Sequence, residues 1–196
     1  VANNGTATRK VTVETSLIDP KGRLVRKVSS PVSVKSGETR TVAQSIHVKN
    51  PELWSPDSPS LYRVESRIKD GKSSIDGGVT RVGIRTFEFD GDKGFILNGK
   101  PFGQLVGANR HQDFAYVGNA LPNSQQWRDA KRLRDAGCRI IRVAHYPQDP
   151  SFMDACDELG MFVIVATPGW QYWNKDPKFV EYVHQNTREI IRRDRN

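Results

Sequence analysis

The chain has 196 residues, enough for one large domain or two small ones, with 36% hydrophobic residues and a formal net charge of +8. No apolar run nears the ~20 residues that a membrane-spanning helix needs. The basic excess comes with no basic helix and no RNP-like aromatic motif, which argues against a nucleic-acid partner.

The charge is uneven. Residues 1–87 hold 15 Lys and Arg against 8 Asp and Glu, a balance of +7, whereas residues 88–196 hold 15 against 14, a balance of +1. The only cysteines, Cys138 and Cys156, make no disulfide framework and no metal-ligand spacing. Both read as small core residues; a bridge between them stays open, and they do not fix the compartment.

Residues 1–87 read as all-β. Val11, Val13, Thr15 and Leu17 alternate with more polar neighbours, the signature of a half-buried strand. Asp19-Pro20-Lys21-Gly22 predicts a turn, with Leu24 to Val28 as the returning strand. Lys35-Ser36-Gly37-Glu38 predicts a second turn, followed by a longer strand over Thr39 to Val48. Two more are expected at Tyr62 to Lys69 and Thr80 to Phe89, joined through Asp70-Gly71-Lys72 and Asp76-Gly77-Gly78. Short strands at this spacing suggest a β-sandwich of immunoglobulin type. Between them, Pro51, Pro56 and Pro59 forbid regular structure, so residues 51–59 form a rigid crossing loop with Trp54 as its apolar anchor.

Residues 88–196 begin with Phe95 to Pro101, a small hairpin turning on Asn98-Gly99. Three short apolar strands follow, each running into a polar end and then a helix. The first ends in Gly107-Ala108-Asn109-Arg110-His111-Gln112-Asp113, the second in His145-Tyr146-Pro147, the third in Thr167-Pro168-Gly169-Trp170. Ser124 is the expected cap of the first helix, with Trp127, Ala130, Leu133 and Ala136 inward and Gly137 closing it. Phe152, Ala155, Cys156 and Leu159 face inward on the second, which Gly160 ends. Pro177 opens the third, with Phe179, Val183, Ile190 and Ile191 inward. A sandwich starting this late leaves an edge bare, and three parallel strands close no barrel, so a piece of a longer chain is expected.

In parallel α/β folds the chemistry gathers at the C-terminal strand ends, which is where His111 and His145 fall. Imidazole can donate or accept a hydrogen bond near neutral pH, which suits sugar hydroxyls or a catalytic carboxylate. Each could equally cap a strand. Arg142, amid apolar neighbours, needs an acidic partner and serves either to orient a carboxylate or as a structural ion pair. Asp113 binds ligand or caps the following turn. Trp170, with Tyr172 and Trp173, stacks on a sugar face or plugs a loop core. His47 and His184 read as structural or solvated.

Asn109-Arg110-His111-Gln112-Asp113, Ile141-Arg142-Val143-Ala144-His145-Tyr146-Pro147 and Phe152-Met153-Asp154-Ala155-Cys156-Asp157-Glu158-Leu159-Gly160-Met161 together resemble glycoside hydrolase family 2, the β-galactosidase and β-glucuronidase group. Leu53-Trp54-Ser55-Pro56-Asp57 and Gly94 to Pro101 resemble that family's immunoglobulin-like domain and its lead into the barrel. The resemblance implies an immunoglobulin-like β-sandwich over 1–87 and the first three βα units of a (β/α)8 TIM barrel over 88–196. It implies a retaining β-glycosidase acting on a carbohydrate substrate, with no cofactor, no membrane and room for an oligomer in the full-length protein. It places His111 and His145 in the −1 subsite, Arg142 beside the nucleophilic carboxylate, and Asp113 in the same pocket. Both catalytic glutamates would follow Asn196, because Glu181 and Glu189 fall on the third helix. Some relatives carry a magnesium-binding Glu after strand three. Here Val165-Ala166-Thr167-Pro168-Gly169-Trp170 offers no acid, so no metal is expected there. A non-catalytic carbohydrate-binding module is the rival reading.

Overall fold

The computed structural model describes residues 1–169 and 171–196. The chain divides into two compact units, Val1–Glu52 with Ser60–Ile84, and Leu53–Pro59 with Arg85–Asn196.

In the first unit, β1 (Arg9–Ile18), β2 (Leu24–Val34), β3 (Tyr62–Asp70) and β4 (Ser73–Val82) form one antiparallel sheet in the order β2-β1-β3-β4. The alternation read in β1 is realised: Val11, Thr15 and Leu17 are buried while their neighbours are not. Asp19 fastens the β1–β2 turn, accepting from the N–H groups of Lys21 and Arg23 at 2.9 and 2.8 Å. On the outer face Glu14 lies between Lys27 at 3.2 Å and Lys69 at 3.7 Å.

Two strand expectations need correction. Residues 39–48 keep a two-residue burial rhythm, but beyond the Ala2–Thr39 bridge they pair in a ladder with no described strand. Instead the Gln44 amide reaches the Val13 carbonyl at 3.0 Å and Ser30 Oγ at 3.1 Å. The last strand of this unit runs over Ser73–Val82 rather than Thr80 to Phe89, so Asp76-Gly77-Gly78 lies inside β4 rather than turning, and Phe87 and Phe89 fall in a separate strand. A β-carbon at Gly77 would lie 2.7 Å from the Ser66 carbonyl oxygen, so glycine there admits the close approach of β3.

The second unit opens with a three-stranded meander, β5 (Phe87–Asp90), β6 (Gly94–Leu97) and β7 (Lys100–Pro101). Asn98 and Gly99 take φ of 52° and 75°, the paired positive angles of a two-residue hairpin turn. Then come β8 (Gly107–Arg110), α1 (Asn123–Asp135), β9 (Ile140–Val143), α2 (Pro150–Leu159), β10 (Phe162–Val165) and α3 (Pro177–Asp194). The three strands are parallel, in the order β10-β9-β8. Their core is Ala130, Ile141, Val143, Phe152, Ala155, Cys156 and Met161. Both cysteines are free thiols.

The helix boundaries match the expected pattern except at the start of α1. Pro122, not Ser124, is its cap, and Trp127 is 40% exposed. Gln126 and Ala130 take the buried positions instead. In α2, Asp149 caps through Ser151 N–H at 2.7 Å, and Gly160 ends the helix at φ 73°. Helix α3 buries no residue fully, and Ile191 is exposed. No helix among the described residues is long and apolar enough to cross a membrane.

The proline-rich segment 53–59 belongs to the second unit. Trp54 is 3% exposed, packs edge-on against Phe162 and donates its indole N–H to the Asp157 carbonyl at 2.8 Å. Arg134 of α1 donates to the carbonyls of Pro56 and Leu159, each at 2.8 Å, and so ties loop, α1 and α2 together.

Candidate active site

Arg110 at the end of β8 pairs with Val143 at the end of β9, so His111 and His145 leave neighbouring parallel strands side by side. Their ring centroids are 5.2 Å apart with planes 77° to one another, and the Tyr146 ring lies 6.4 Å from His111. The peptide bond joining Ala144 to His145 is cis. His111 is exposed and His145 half-buried. Burial, with smaller contributions from the Arg142 charge and from His111, holds His145 below the ordinary histidine range. A neutral imidazole at pH 7 offers one donor and one acceptor, which is the pair a sugar hydroxyl can meet.

The other expected site residues are placed as follows. Arg142 lies in β9, half-buried and near enough to act on His145 electrostatically. Asp113 is exposed. With its nitrogen turned toward them, the Asn119 amide donates to the Gln112 carbonyl at 2.8 Å and to Asp113 Oδ1, so the Asp113 carboxylate also braces the 113–119 turn. Trp170 lies outside the described residues. Tyr172 and Trp173 are 70% and 76% exposed. His47 and His184 are exposed, and Glu181 and Glu189 stand exposed on α3. No group of three or more His, Cys, Asp or Glu that could hold a metal ion occurs among the described residues.

Sequence reasoning missed the buried polar network behind the two histidines. Arg110 is 6% exposed, its guanidinium 4.0 Å from the centre of the Phe152 ring. It donates to Gln148 Oε1, to Gln126 Oε1 at 2.8 Å and to Asp129 Oδ2 at 2.9 Å. The signal was available in part. Gln126, Ala130 and Leu133 share one helical face, and an amide on that face calls for a buried polar partner.

Two family models match the chain: "Glycosyl hydrolases family 2" over residues 1–85 and "Glycosyl hydrolases family 2, TIM barrel domain" over residues 90–196. A β-galactosidase of Thermoanaerobacter pseudethanolicus is 38% identical over 93% of this chain, and a putative β-glucuronidase of Formosa agariphila 36% identical over 95%. Among solved structures, the Bacteroides uniformis β-glucuronidase 2 covalently bound to cyclophellitol-6-carboxylate aziridine matches 98% of the chain with a TM-score of 0.90 and 34% identity. This chain spans 24%, 23% and 23% of those three proteins respectively, about a quarter of each.

Proposed function

The chain belongs to glycosyl hydrolases family 2, and from that premise we propose that it serves a β-galactosidase-like hydrolase of terminal β-glycosidic bonds that works by the retaining, double-displacement route. The observation that carries the reading is the His111–His145 pair, 5.2 Å apart at the ends of adjacent parallel strands. In a barrel enzyme that is where substrate is held.

In this scheme His111 and His145 bind the sugar in the −1 subsite, Arg142 lies beside the nucleophilic carboxylate, Asp113 binds substrate in the same pocket and Trp170 stacks on the substrate. One glutamate protonates the leaving oxygen and a second attacks the anomeric carbon, the two carboxyls ~5 Å apart. The Bacteroides uniformis relative supports the covalent route, since an aziridine captured covalently requires a nucleophile. We assign both glutamates to residues outside these 196, and no turnover to this chain alone. The same reading makes the first unit part of an immunoglobulin-like sandwich over residues 1–87. The three βα units become the start of a (β/α)8 barrel over 88–196. Relatives are named for both galactosides and glucuronides, so both sugars are tested.

The purified chain is assayed with aryl β-galactoside and β-glucuronide, alone and in a chimera where it replaces the matched segment of the Thermoanaerobacter β-galactosidase. The chain alone is expected to be inert and the chimera active, with His145→Ala abolishing most of its activity. Turnover by the chain alone would overturn the assignment of the carboxylates, and a folded but inert chimera would overturn the hydrolase reading.

A further inference from the structure

Arg110 and Gln148 close on each other in both directions. Arg110 Nη1 donates to Gln148 Oε1, and Gln148 Nε2 donates back to the Arg110 carbonyl at 2.6 Å. The same carbonyl accepts the Ala144 N–H at 2.9 Å. On the far side of His111 the pattern repeats. The Gln112 N–H donates to Tyr146 Oη at 3.1 Å, and the Asp149 N–H donates to Gln112 Oε1 at 2.7 Å. His111 therefore sits between two residues that are both fastened to the loop bearing His145.

The ties continue outward. Nη2 of Arg110 holds Gln126 and Asp129 on α1, its guanidinium lies over Phe152 on α2, and Arg193 on α3 donates to the Gln148 carbonyl at 2.9 Å. Gln148 is 2% exposed and Gln126 is fully buried. Burying a guanidinium and two primary amides is costly, and apolar side chains of the same volume would fill this space without that cost. Stability alone does not account for the choice. A hydrogen-bonded lattice fixes distances and angles, which packing alone does less sharply.

We propose that Arg110 and Gln148 are positioning residues, which set the separation and tilt of the His111 and His145 rings for recognition of sugar hydroxyls. The proposal deepens the functional reading and rests on it. Neither residue touches substrate; each acts through the two histidines, as a supporting shell does for a preorganised site.

The test is NMR on the 196-residue chain with labelled histidine. The native chain is expected to show a nuclear Overhauser contact between the His111 and His145 rings, and His145 titrating below the ordinary histidine range. Among the described residues, the charged and titratable groups that shift it are Arg142 from β9 and His111 from the end of β8. Gln148→Met removes both mutual bonds. The inter-ring contact should be lost and the His145 midpoint should rise, while the contact between Trp54 and Phe162, 5.5 Å apart elsewhere in the unit, persists. An unchanged inter-ring contact and midpoint would overturn the proposal. Should Gln148→Met also lose the Trp54–Phe162 contact, Gln148→Glu decides, since its carboxylate still accepts from Arg110 and only the bond to the Arg110 carbonyl is given up. A weakened histidine contact then supports the proposal and an unchanged one overturns it. The readout needs no turnover, so an inert chimera would sink the functional reading without touching this result.

Discussion

Gly160 and Pro56 stand back to back. A β-carbon on Gly160 would lie 2.3 Å from the Pro56 carbonyl oxygen, and the residue holds φ at 73°. Gly160→Ala therefore meets a clash and a backbone penalty together, and is expected to cost about 2–4 kcal/mol. Gly22→Ala is the control. Its φ is 81° but no atom lies within 4 Å of the new carbon, so only the left-handed penalty of about 1 kcal/mol applies. Trp54, Trp127 and Trp173 belong to the second unit, so urea unfolding followed by tryptophan fluorescence reads the Gly160 variant, and circular dichroism reads Gly22. Equal losses at the two positions would refute the packing argument.

Arg110→Met is expected to destabilise the second unit by about 3 kcal/mol, because it takes the ion-pair partner from Asp129 and the donor from two buried amide oxygens. The tryptophan-monitored urea midpoint measures it. A loss below about 1 kcal/mol would mean that the network is solvated in solution.

Trp54→Phe keeps the edge contact with Phe162 and gives up the hydrogen bond to Asp157; Trp54→Ala gives up both. We expect about 1–2 kcal/mol for the first and about 4 for the second. Thermal unfolding of the two variants side by side gives the difference, and equal values would show that the ring contributes little.

The two thiols should separate in reactivity. Cys156 is 1% exposed in the core, and burial raises its thiol far above the ordinary value, so it is not a thiolate at neutral pH. Cys138 is partly exposed. Titration with a thiol-specific chromogenic reagent should count one fast group in the native chain and two in urea. Two fast groups in the native chain would contradict the packing of α2.

His145 gives stability a pH dependence of known sign. Its folded form resists protonation, whereas the unfolded chain protonates near the ordinary value of about 6.5. Just below that pH the unfolded state binds more protons, so stability rises with pH there. The contribution is intact above about 6.5 and is lost as pH falls toward the folded midpoint. His145→Gln should flatten urea midpoints measured from neutral pH down through this window. An unchanged slope would show that another group is responsible.

Much of this was legible in the sequence where one local rule acts alone. The alternation of Val11 to Leu17, the Asn98-Gly99 turn, Pro177 opening α3 and Gly160 ending α2 all follow from nearest-neighbour chemistry. The misses come from partners far away in the chain. Residues 39–48 alternate as a strand should, yet a ladder needs backbone pairing, and here a side chain, that of Gln44, makes the bonds to β1 and β2 instead. Gly77 reads as a turn until the Ser66 carbonyl comes up against it. Trp127 looks like the inward residue of α1, but Gln126 is drawn inside because Arg110 needs an acceptor there. The strand-end rule pointed to His111 and His145, which the fold does bring side by side, while the lattice behind them is written in amides, which carry no motif.

Trp54 and its acceptor Asp157 are 103 residues apart. On a ribosome adding about 5–20 residues per second, the indole is made about 5–20 s before the group that will seat it. The three prolines around it give the nascent loop a stiff shape through that interval without committing it to a strand. The order of synthesis thus makes this loop a timer. A stall anywhere between residues 60 and 157 leaves the indole displayed with its acceptor not yet made.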